Sequence, residues 1–193
     1  MKGKWKSDYF KNNNLITLEL GCGRGEYTVA LAEKFPHRNF IGMDVKGARI
    51  WKGAKKALEL KLGNVAFIRS RIDFIENYFA PTEISEIWLP FPDPFPRKEN
   101  RRLISDVFLE RYRNISAKAT KIRLKTDNAD LYSFALGQVK KNNLVMAYSC
   151  ADIYSRGNEI GDERSELLTG IQTYYEKQFL SLGRKICYME FQL

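Results

Sequence analysis

The chain has 193 residues, of which 44% are hydrophobic and 28% charged, as in globular proteins and unlike disordered or fibrous chains. No run approaches the roughly 18 apolar residues of a membrane span, and we expect no signal peptide because the start is charged and aromatic. Thirty-two Lys and Arg against 23 Asp and Glu give a net charge of +9, which favours a polyanionic partner.

The predicted elements in the first half of the chain alternate between short apolar runs and amphipathic stretches. Leu15–Leu20 predicts a buried strand, which a glycine-rich turn and a helix to about Phe35 follow. The next expected elements, in chain order, are a strand at Asn39–Asp44, a helix at Lys46–Leu62, a strand at Val65–Arg69, a short helical segment near Asp73–Phe79 and a strand at Ile84–Phe91.

The second half continues the same alternation after a proline-rich loop. Its expected elements are a helix at Arg101–Ile115, a strand at Lys121–Thr126, a helix at Ala129–Lys141, a strand at Leu144–Ile153, a loop at Arg156–Asp162, a helix at Ser165–Leu182 and a strand at Lys185–Gln192. Strands separated by helices require crossover connections, so we predict an α/β fold with a mostly parallel sheet and helices on both faces. The length and the lack of a linker predict one domain, residues 1–193.

The few cysteines and the single histidine narrow the possible chemistry. Cys22, Cys150 and Cys187 are widely spaced without a CxxC pair, which predicts reduced, mostly buried thiols and a cytoplasmic protein. His37 lies next to a proline in an expected turn, so a histidine-based metal site or a Ser-His-Asp triad is nearly excluded. We expect no metal.

The most informative segment, ELGCGRGE, lies between the first strand and the first helix. Glycines such as Gly21 and Gly23 let the backbone turn tightly and let a ligand approach closely. Ligands of doubly wound sheets bind at this position. A dinucleotide fingerprint needs glycine where this chain has Glu26, whose carboxylate would lie near a pyrophosphate. S-adenosylmethionine, which has a sulfonium and no phosphate, is compatible with an acidic loop. A glycine-rich turn without a ligand is the alternative.

Carboxylates at two further strand ends fit a nucleoside-type cofactor. Asp44 ends the second strand and can accept hydrogen bonds from both ribose hydroxyls, a role that serves either cofactor. Asp73 follows the third strand and is a candidate acceptor for the adenine amino group. Together with the acidic loop, these residues favour S-adenosylmethionine.

A second unusual segment, LPFPDPFPRK, follows the fourth strand. Its four prolines hold the backbone in extended or turn geometry, which suits the placement of a base. Phe91 or Phe95 could stack on a purine, although a stiff loop with core aromatics is the alternative. Two sets of cations are candidate phosphate contacts: Arg97, Lys98, Arg101 and Arg102 after the loop, and Arg49, Lys52 and Lys56 at helical spacing, for which a solvated face is equally expected.

Five segments in this order resemble the bacterial tRNA (guanine-N7-)-methyltransferase family over nearly the full chain. LELGCGRGEY resembles the cofactor loop of that family, and FIGMDVKG resembles its ribose-binding strand end. PFPDPFPRKENRRL is similar to the hallmark F-P/S-D-P-W-x-K, which precedes basic residues. LKTDN is similar to a TDW-type motif, and Thr173–Glu176 to T-x-x-E. Each segment alone is weak evidence for the family, but five segments in the right order are specific to it.

The resemblance implies a Rossmann-like class I methyltransferase, with a seven-stranded sheet whose last strand is antiparallel. It implies transfer of a methyl group from S-adenosylmethionine to N7 of guanine-46 in the variable loop of tRNA, by a monomer or weak dimer. The cofactor-binding positions it implies are Glu19, Gly21, Gly23, Asp44, Asp73 and Asp93. The substrate-binding positions it implies are Arg97, Asp127, Thr173 and Glu176.

Guanine N7 carries a lone pair and no proton, so its methylation needs no general base. We expect Asp93 to act as the catalytic residue, orienting the base or the methionine amino group near the point of transfer. Asp127 and Glu176 would accept hydrogen bonds from N1–H and N2–H of the guanine. The alternatives are a methyltransferase for another RNA or a small amine, a nicotinamide-dependent oxidoreductase, and a non-catalytic RNA-binding protein.

The sequence departs from the family pattern at three positions. Phe95 stands where the hallmark has tryptophan, Arg97 where it has lysine, and Asn128 where the TDW-type motif has tryptophan. The first change keeps an aromatic ring without the indole donor, and the second keeps the charge with a different geometry. Family members also generally begin with a longer, often basic segment. If that segment contributes to tRNA binding, we expect this chain to bind tRNA more weakly.

Overall fold

A seven-stranded sheet forms the centre of the computed structural model, which describes residues 1–155 and 162–193, excepting the side chains of 162–165. The strands are β1 (Ile16–Leu20), β2 (Asn39–Asp44), β3 (Val65–Arg69), β4 (Ile84–Pro90), β5 (Ser116–Thr126), β6 (Val145–Cys150) and β7 (Cys187–Gln192). Their order is β3-β2-β1-β4-β5-β7-β6. Neighbours from β3 to β5 are parallel, whereas β7 is antiparallel to both β5 and β6. This confirms the expected sheet and its antiparallel last strand.

Six α-helices accompany the sheet in the part of the chain that the structure describes. They are α1 (Glu26–Lys34), α2 (Gly47–Glu59), α3 (Asp106–Ile115), α4 (Ala129–Lys141), α5 (Asp162–Thr169) and α6 (Tyr174–Ser181). Short helical turns lie at Trp5–Phe10, Ile72–Asn77 and Glu99–Arg101. None of the described helices combines the length and apolar character needed to cross a bilayer.

Side chains of β4 show how the sheet separates two hydrophobic layers. Ile87 and Leu89 pack with α3 and α4 on one face, and Trp88 between them packs with α1 and α5 on the other. Successive strand residues point to opposite faces, so a strand covered on both sides must be apolar at almost every position. This pattern confirms the prediction of helices on both faces.

The structure corrects several predicted element boundaries. The helix expected at Ser165–Leu182 is two helices, because the chain turns at Gly170 and a new helix begins after Thr173, whose hydroxyl caps it. The helix expected from Arg101 begins only at Asp106. β5 begins at Ser116, five residues before its expected start. The loop predicted at residues 156–162 lies outside the described residues except for its last residue.

The first ten residues form a turn that the sequence analysis did not predict. Trp5 and Phe10 are buried there, and the Trp5 indole donates a hydrogen bond to the carbonyl of Tyr78 at 2.9 Å. The carboxylate of Glu83 accepts backbone hydrogen bonds from Gly3 and Trp5. The segment is therefore part of the core beneath the helical turn that follows β3.

Candidate active site

The predicted site residues follow strand ends at one edge of the sheet. β1, β2, β3, β4 and β5 are mutually parallel, so their carboxyl ends meet there. β7 runs the opposite way and pairs its first residue, Cys187, with Thr126 at the end of β5. This edge therefore also receives the segment that precedes β7. Ligands of open α/β sheets bind at the carboxyl edge.

The glycine loop after β1 is packed on its inner side and open on its outer side. Gly21 and Gly23 have φ values of +73° and +54°, and a Cβ at either position would meet no atom within 4 Å. Gly25 has a φ of +68°, and a Cβ there would lie 2.6 Å from the Phe67 ring. The backbone amides of Gly21 and Cys22 donate to the Met43 carbonyl at the end of β2. The space above Gly21 and Gly23 is therefore free for a ligand.

Glu19 joins the end of β1 to the first turn of α1. Its side chain is 4% exposed, and its Oε2 accepts hydrogen bonds from the backbone amide of Thr28, at 2.7 Å, and from the Thr28 hydroxyl. Burial raises the pKa of Glu19 to about 8. The carboxyl group thus holds α1 in place beneath the glycine loop.

Asp44 connects the glycine loop with the start of α2. Its Oδ2 accepts a hydrogen bond from the amide of Gly23 at 2.9 Å, and its Oδ1 accepts one from Lys46 at 2.8 Å. A carboxylate oxygen has two lone pairs, so each oxygen can accept one further hydrogen bond. Asp44 can therefore accept hydrogen bonds from two vicinal hydroxyls while it holds the loop.

Asp73 lies at the same edge, in the helical turn that follows β3. It forms an ion pair with Arg71, with 2.7 Å between Oδ2 and the guanidinium, and its side chain is half-exposed. The structure therefore brings Asp73 to the predicted edge, with its carboxylate directed to a neighbour on its own turn.

The proline loop after β4 has two aromatic residues in an uncommon backbone conformation. Phe91 and Phe95 have φ values of 52° and 39°, in the left-handed region that bulky side chains rarely adopt. Phe91 packs on Phe179 with 5.6 Å between ring centroids, so of the two candidate stacking residues it belongs to the core. Asp93 lies exposed between them. Strained backbone of this kind is frequent at functional sites.

One member of the cationic cluster after this loop has a structural role. Arg102 is 5% exposed; its Nε donates to the Pro94 carbonyl at 2.9 Å, and its guanidinium lies 4.3 Å from the Phe134 ring centroid. It holds the proline loop against α4, which corrects the prediction that it contacts phosphate. The other three cations, Arg97, Lys98 and Arg101, are exposed.

Asp127 immediately follows β5 and is paired with a residue that precedes β7. Its Oδ2 lies 2.6 Å from the guanidinium of Arg184, and its side chain is 14% exposed. Both residues line a cleft of about 590 Å³ between α4 and the start of β7, with Ala129, Tyr132, Ser133, Ala151, Lys185 and Cys187. The cleft is large enough for one nucleobase.

The Thr173–Glu176 segment forms the first turn of α6. The hydroxyl of Thr173 accepts a hydrogen bond from the Glu176 amide at 3.1 Å. The side chain of Glu176 is completely buried, and its Oε1 lies 2.5 Å from Nζ of Lys125 and accepts a hydrogen bond from Tyr154 at 2.8 Å. Burial raises the pKa of Glu176 and lowers that of Lys125 to about 8. Oε2 of Glu176 has no hydrogen-bond partner among the described residues.

The same segment lies against the glycine loop. The backbone amide of Tyr174 donates to both carboxylate oxygens of Glu26, at 3.2 and 3.1 Å, where α1 begins. The guanidinium of Arg24 lies 4.5 Å from the Tyr174 ring centroid. The structure therefore brings the predicted cofactor loop and part of the predicted substrate-binding segment into direct contact.

No role was predicted from the sequence for Lys125, Arg184 or Tyr154, which contact the two acidic candidates for base recognition. A pattern in β5 could have indicated Lys125: charged residues at 123 and 125 alternate with the apolar residues Ile122 and Leu124. Two charges on one face of a covered strand require buried partners. Arg184 and Tyr154 lie in turns whose contacts depend on the tertiary structure.

No cluster of three or more His, Cys, Asp or Glu side chains suited to a metal ion occurs in the described ranges. Cys22, Cys150 and Cys187 are buried free thiols, as predicted. The arrangement at the sheet edge thus consists of a glycine loop, carboxylates and exposed cations.

Known proteins of similar sequence are methyltransferases. A family model described as "Putative methyltransferase" matches residues 13–189. The tRNA (guanine-N(7)-)-methyltransferase of Christiangramia forsetii is 47% identical over 100% of this chain and 85% of its own length. The enzyme of the same name from Bacteroides fragilis is 45% identical over 100% of this chain and 74% of its own length.

The fold also has counterparts among solved structures. The structure of an antibiotic-related methyltransferase superposes with a TM-score of 0.72, with 14% identity, over 100% of this chain and 94% of the other. At this identity the likeness concerns the fold, which is that of Rossmann-like class I methyltransferases.

Proposed function

Because the chain belongs to the tRNA (guanine-N7-)-methyltransferase family, we propose that it transfers the methyl group of S-adenosylmethionine to N7 of guanine-46 in the variable loop of tRNA. Among the structural observations, the contact between Tyr174 and Glu26 supports this proposal most strongly. It joins the glycine loop to the Thr173–Glu176 segment, so a cofactor and a base would be held side by side.

The residues at the glycine loop fit S-adenosylmethionine. The open space above Gly21 and Gly23 admits a ligand, and Asp44 has acceptor capacity left for two ribose hydroxyls. Asp73 would accept from the adenine amino group, and Glu19 would support the loop from below. When bound, S-adenosylmethionine supplies an electrophilic methyl group.

The protein's part in the reaction is to bind and orient the base, since N7 has no proton to remove. Asp93 is proposed as the catalytic residue, because it is exposed on a rigid loop at the sheet edge and can orient the base or the methionine amino group. Its carboxylate would also stabilise the positive charge that develops on the purine. Arg97 would contact a phosphate of the RNA.

Asp127 and Glu176 are proposed to read the Watson–Crick edge of the guanine. Arg184 contacts Oδ2 of Asp127, which leaves Oδ1 as an acceptor for N1–H or N2–H. Oε2 of Glu176 has no partner in the described part of the chain, and such a buried acceptor is costly unless a donor reaches it. Since Glu176 is covered in this structure, a base must displace neighbouring side chains to reach it. Thr173 fixes the turn that carries Glu176.

A comparison of methyl acceptors tests the reaction. The protein would be incubated with radiolabelled S-adenosylmethionine and, separately, with tRNA from cells that lack N7-methylguanine, with ribosomal RNA, and with free nucleosides. We expect label in tRNA, recovered as 7-methylguanosine. Label confined to ribosomal RNA or to the free nucleosides would overturn the proposal in favour of a methyltransferase with that substrate.

A further inference from the structure

The outward side of α2 presents cations and large apolar side chains that make few contacts with the protein. We call the following residues the α2 surface: Arg49, Trp51, Lys52, Lys55, Lys56 and Leu58. Trp51 is 61% exposed and Leu58 is 79% exposed, whereas Ile50, Gly53 and Ala57 on the opposite side are buried. The helix is thus attached to the sheet by a narrow stripe, and most of its circumference faces solvent.

The charges of the α2 surface have little role within the protein. In the described parts of the chain, Lys55 forms an ion pair with Glu59 at 3.9 Å, and neither Lys52 nor Lys56 forms one. The first turn of α2 contains no acidic residue and does contain Arg49. Cations at a helix N-terminus interact unfavourably with the helix dipole, so helix stability does not explain Arg49, whereas Lys56 in the last turn interacts favourably with it.

The exposed indole of Trp51 is not explained by a helix face that merely contacts solvent. The ammonium of Lys55 lies 5.4 Å from the Trp51 ring centroid, so one cation lies next to the indole. An exposed aromatic ring among lysines can stack on an unpaired base or a ribose while the cations contact phosphates. A protein interface of the usual kind would have few lysines at its core.

The α2 surface adjoins the candidate active site. The guanidinium of Arg49 lies 5.7 Å from the ring centroid of Tyr175, within the segment proposed to bind the base. The strand order β2-β1-β4 places the ends of β2 and β4 two strand spacings apart, which is about 10 Å. The α2 surface thus lies on one side of the site, and the exposed cations that follow β4 lie on the other.

We propose that the α2 surface is a docking site for the RNA substrate, in which Lys52 and Lys56 contact backbone phosphates and Trp51 stacks on an unpaired nucleotide. This inference rests on the proposed function in taking that RNA to be tRNA. The RNA would then be held on both sides of the nucleotide that is modified.

Equilibrium tRNA binding at several salt concentrations tests the proposal without relying on catalysis. The variant Lys52→Gln/Lys56→Gln would be compared with Lys118→Gln/Lys140→Gln, which removes the same charge from exposed positions near the amino end of β5 and the end of α4. Loss of two phosphate contacts should make the negative slope of log K against log salt shallower by about 1.8. This corresponds to an affinity loss of about 30-fold at 0.15 M salt. We expect this loss for the α2 pair only.

Trp51→Ala supplies the test of stacking. It should weaken tRNA binding without changing the salt slope, since no charge is lost. Equal losses for the two lysine pairs, or unchanged tRNA affinity in Trp51→Ala, would overturn the proposal. Loss of self-association in Trp51→Ala, with tRNA affinity intact, would also overturn it and would identify a protein interface. A failure to methylate tRNA would count against the proposed function and leave these binding results interpretable.

Discussion

Nζ of Lys125 lies 2.5 Å from Oε1 of Glu176, and neither side chain is accessible to solvent. The pair joins the end of β5, where Lys125 directly precedes Thr126, to the first turn of α6. A buried ion pair is weak evidence for stability, because the desolvation of both charges offsets their attraction. Its clearest effect here is positional, since it sets the Thr173–Glu176 segment against β5, the strand that Asp127 follows.

Removal of one partner should therefore cost more than removal of both. Lys125→Met leaves Glu176 buried without a counter-charge, and we expect the free energy of unfolding to fall by about 3–5 kcal/mol. Lys125→Met combined with Glu176→Gln should recover part of that loss. Urea unfolding measures both. Lys121→Met is the matched control, because Lys121 is 47% exposed in its pair with Glu190 and should contribute less than about 1 kcal/mol. Equal losses at the two lysines would contradict the interpretation.

Glu19 should make stability depend on pH. Its pKa is raised from 4.5 to about 8, so between these values the folded protein binds a proton that the unfolded chain releases. The free energy of unfolding should therefore fall as pH rises from 4.5 to 8, by at most about 1.4 kcal/mol per pH unit. Glu19→Gln should remove this part of the slope. Urea unfolding of both proteins at pH 5 and pH 8 tests this, and identical pH dependences would count against it.

Asp44 should act through the cofactor. Asp44→Ala removes the proposed acceptor for two ribose hydroxyls and also the hydrogen bond from the Gly23 amide, so we expect weaker S-adenosylmethionine binding by calorimetry. Saturating cofactor should restore part of the lost rate. An unchanged cofactor affinity would refute the ribose role.

Asp127 should act through the RNA. Asp127→Ala removes the proposed charged acceptor for the guanine edge, and we expect kcat/KM for tRNA to fall about 10- to 100-fold while cofactor affinity is retained. Arg184→Ala is the matched control: it removes the ion pair and keeps the carboxylate, so its effect should be smaller. Similar losses of tRNA methylation and of cofactor binding in Asp127→Ala would show that the variant disturbs the whole site.

The sequence predicted the sheet and most helices because strands covered on both faces are continuous apolar runs. The break before α6 was missed, although Thr173 and Glu176 have the spacing of a helix capping box. Here the box is half formed: Thr173 accepts from the Glu176 amide, but the Glu176 carboxylate turns to Lys125. The pairing of Glu176 with Lys125 is a contact between segments that are distant in the sequence, and local sequence patterns do not reveal such contacts. The burial of Arg102 beneath the proline loop was unpredictable for the same reason.

The most direct test of the central claim uses two tRNA transcripts that differ at one atom of one base. One carries guanine at position 46, and the other carries 7-deazaguanine there, which lacks the N7 lone pair. With radiolabelled S-adenosylmethionine, we predict label in the guanine transcript, recovered as 7-methylguanosine, and background label in the other. Equal labelling of both transcripts would contradict the claim that the methyl group is transferred to N7 of guanine-46.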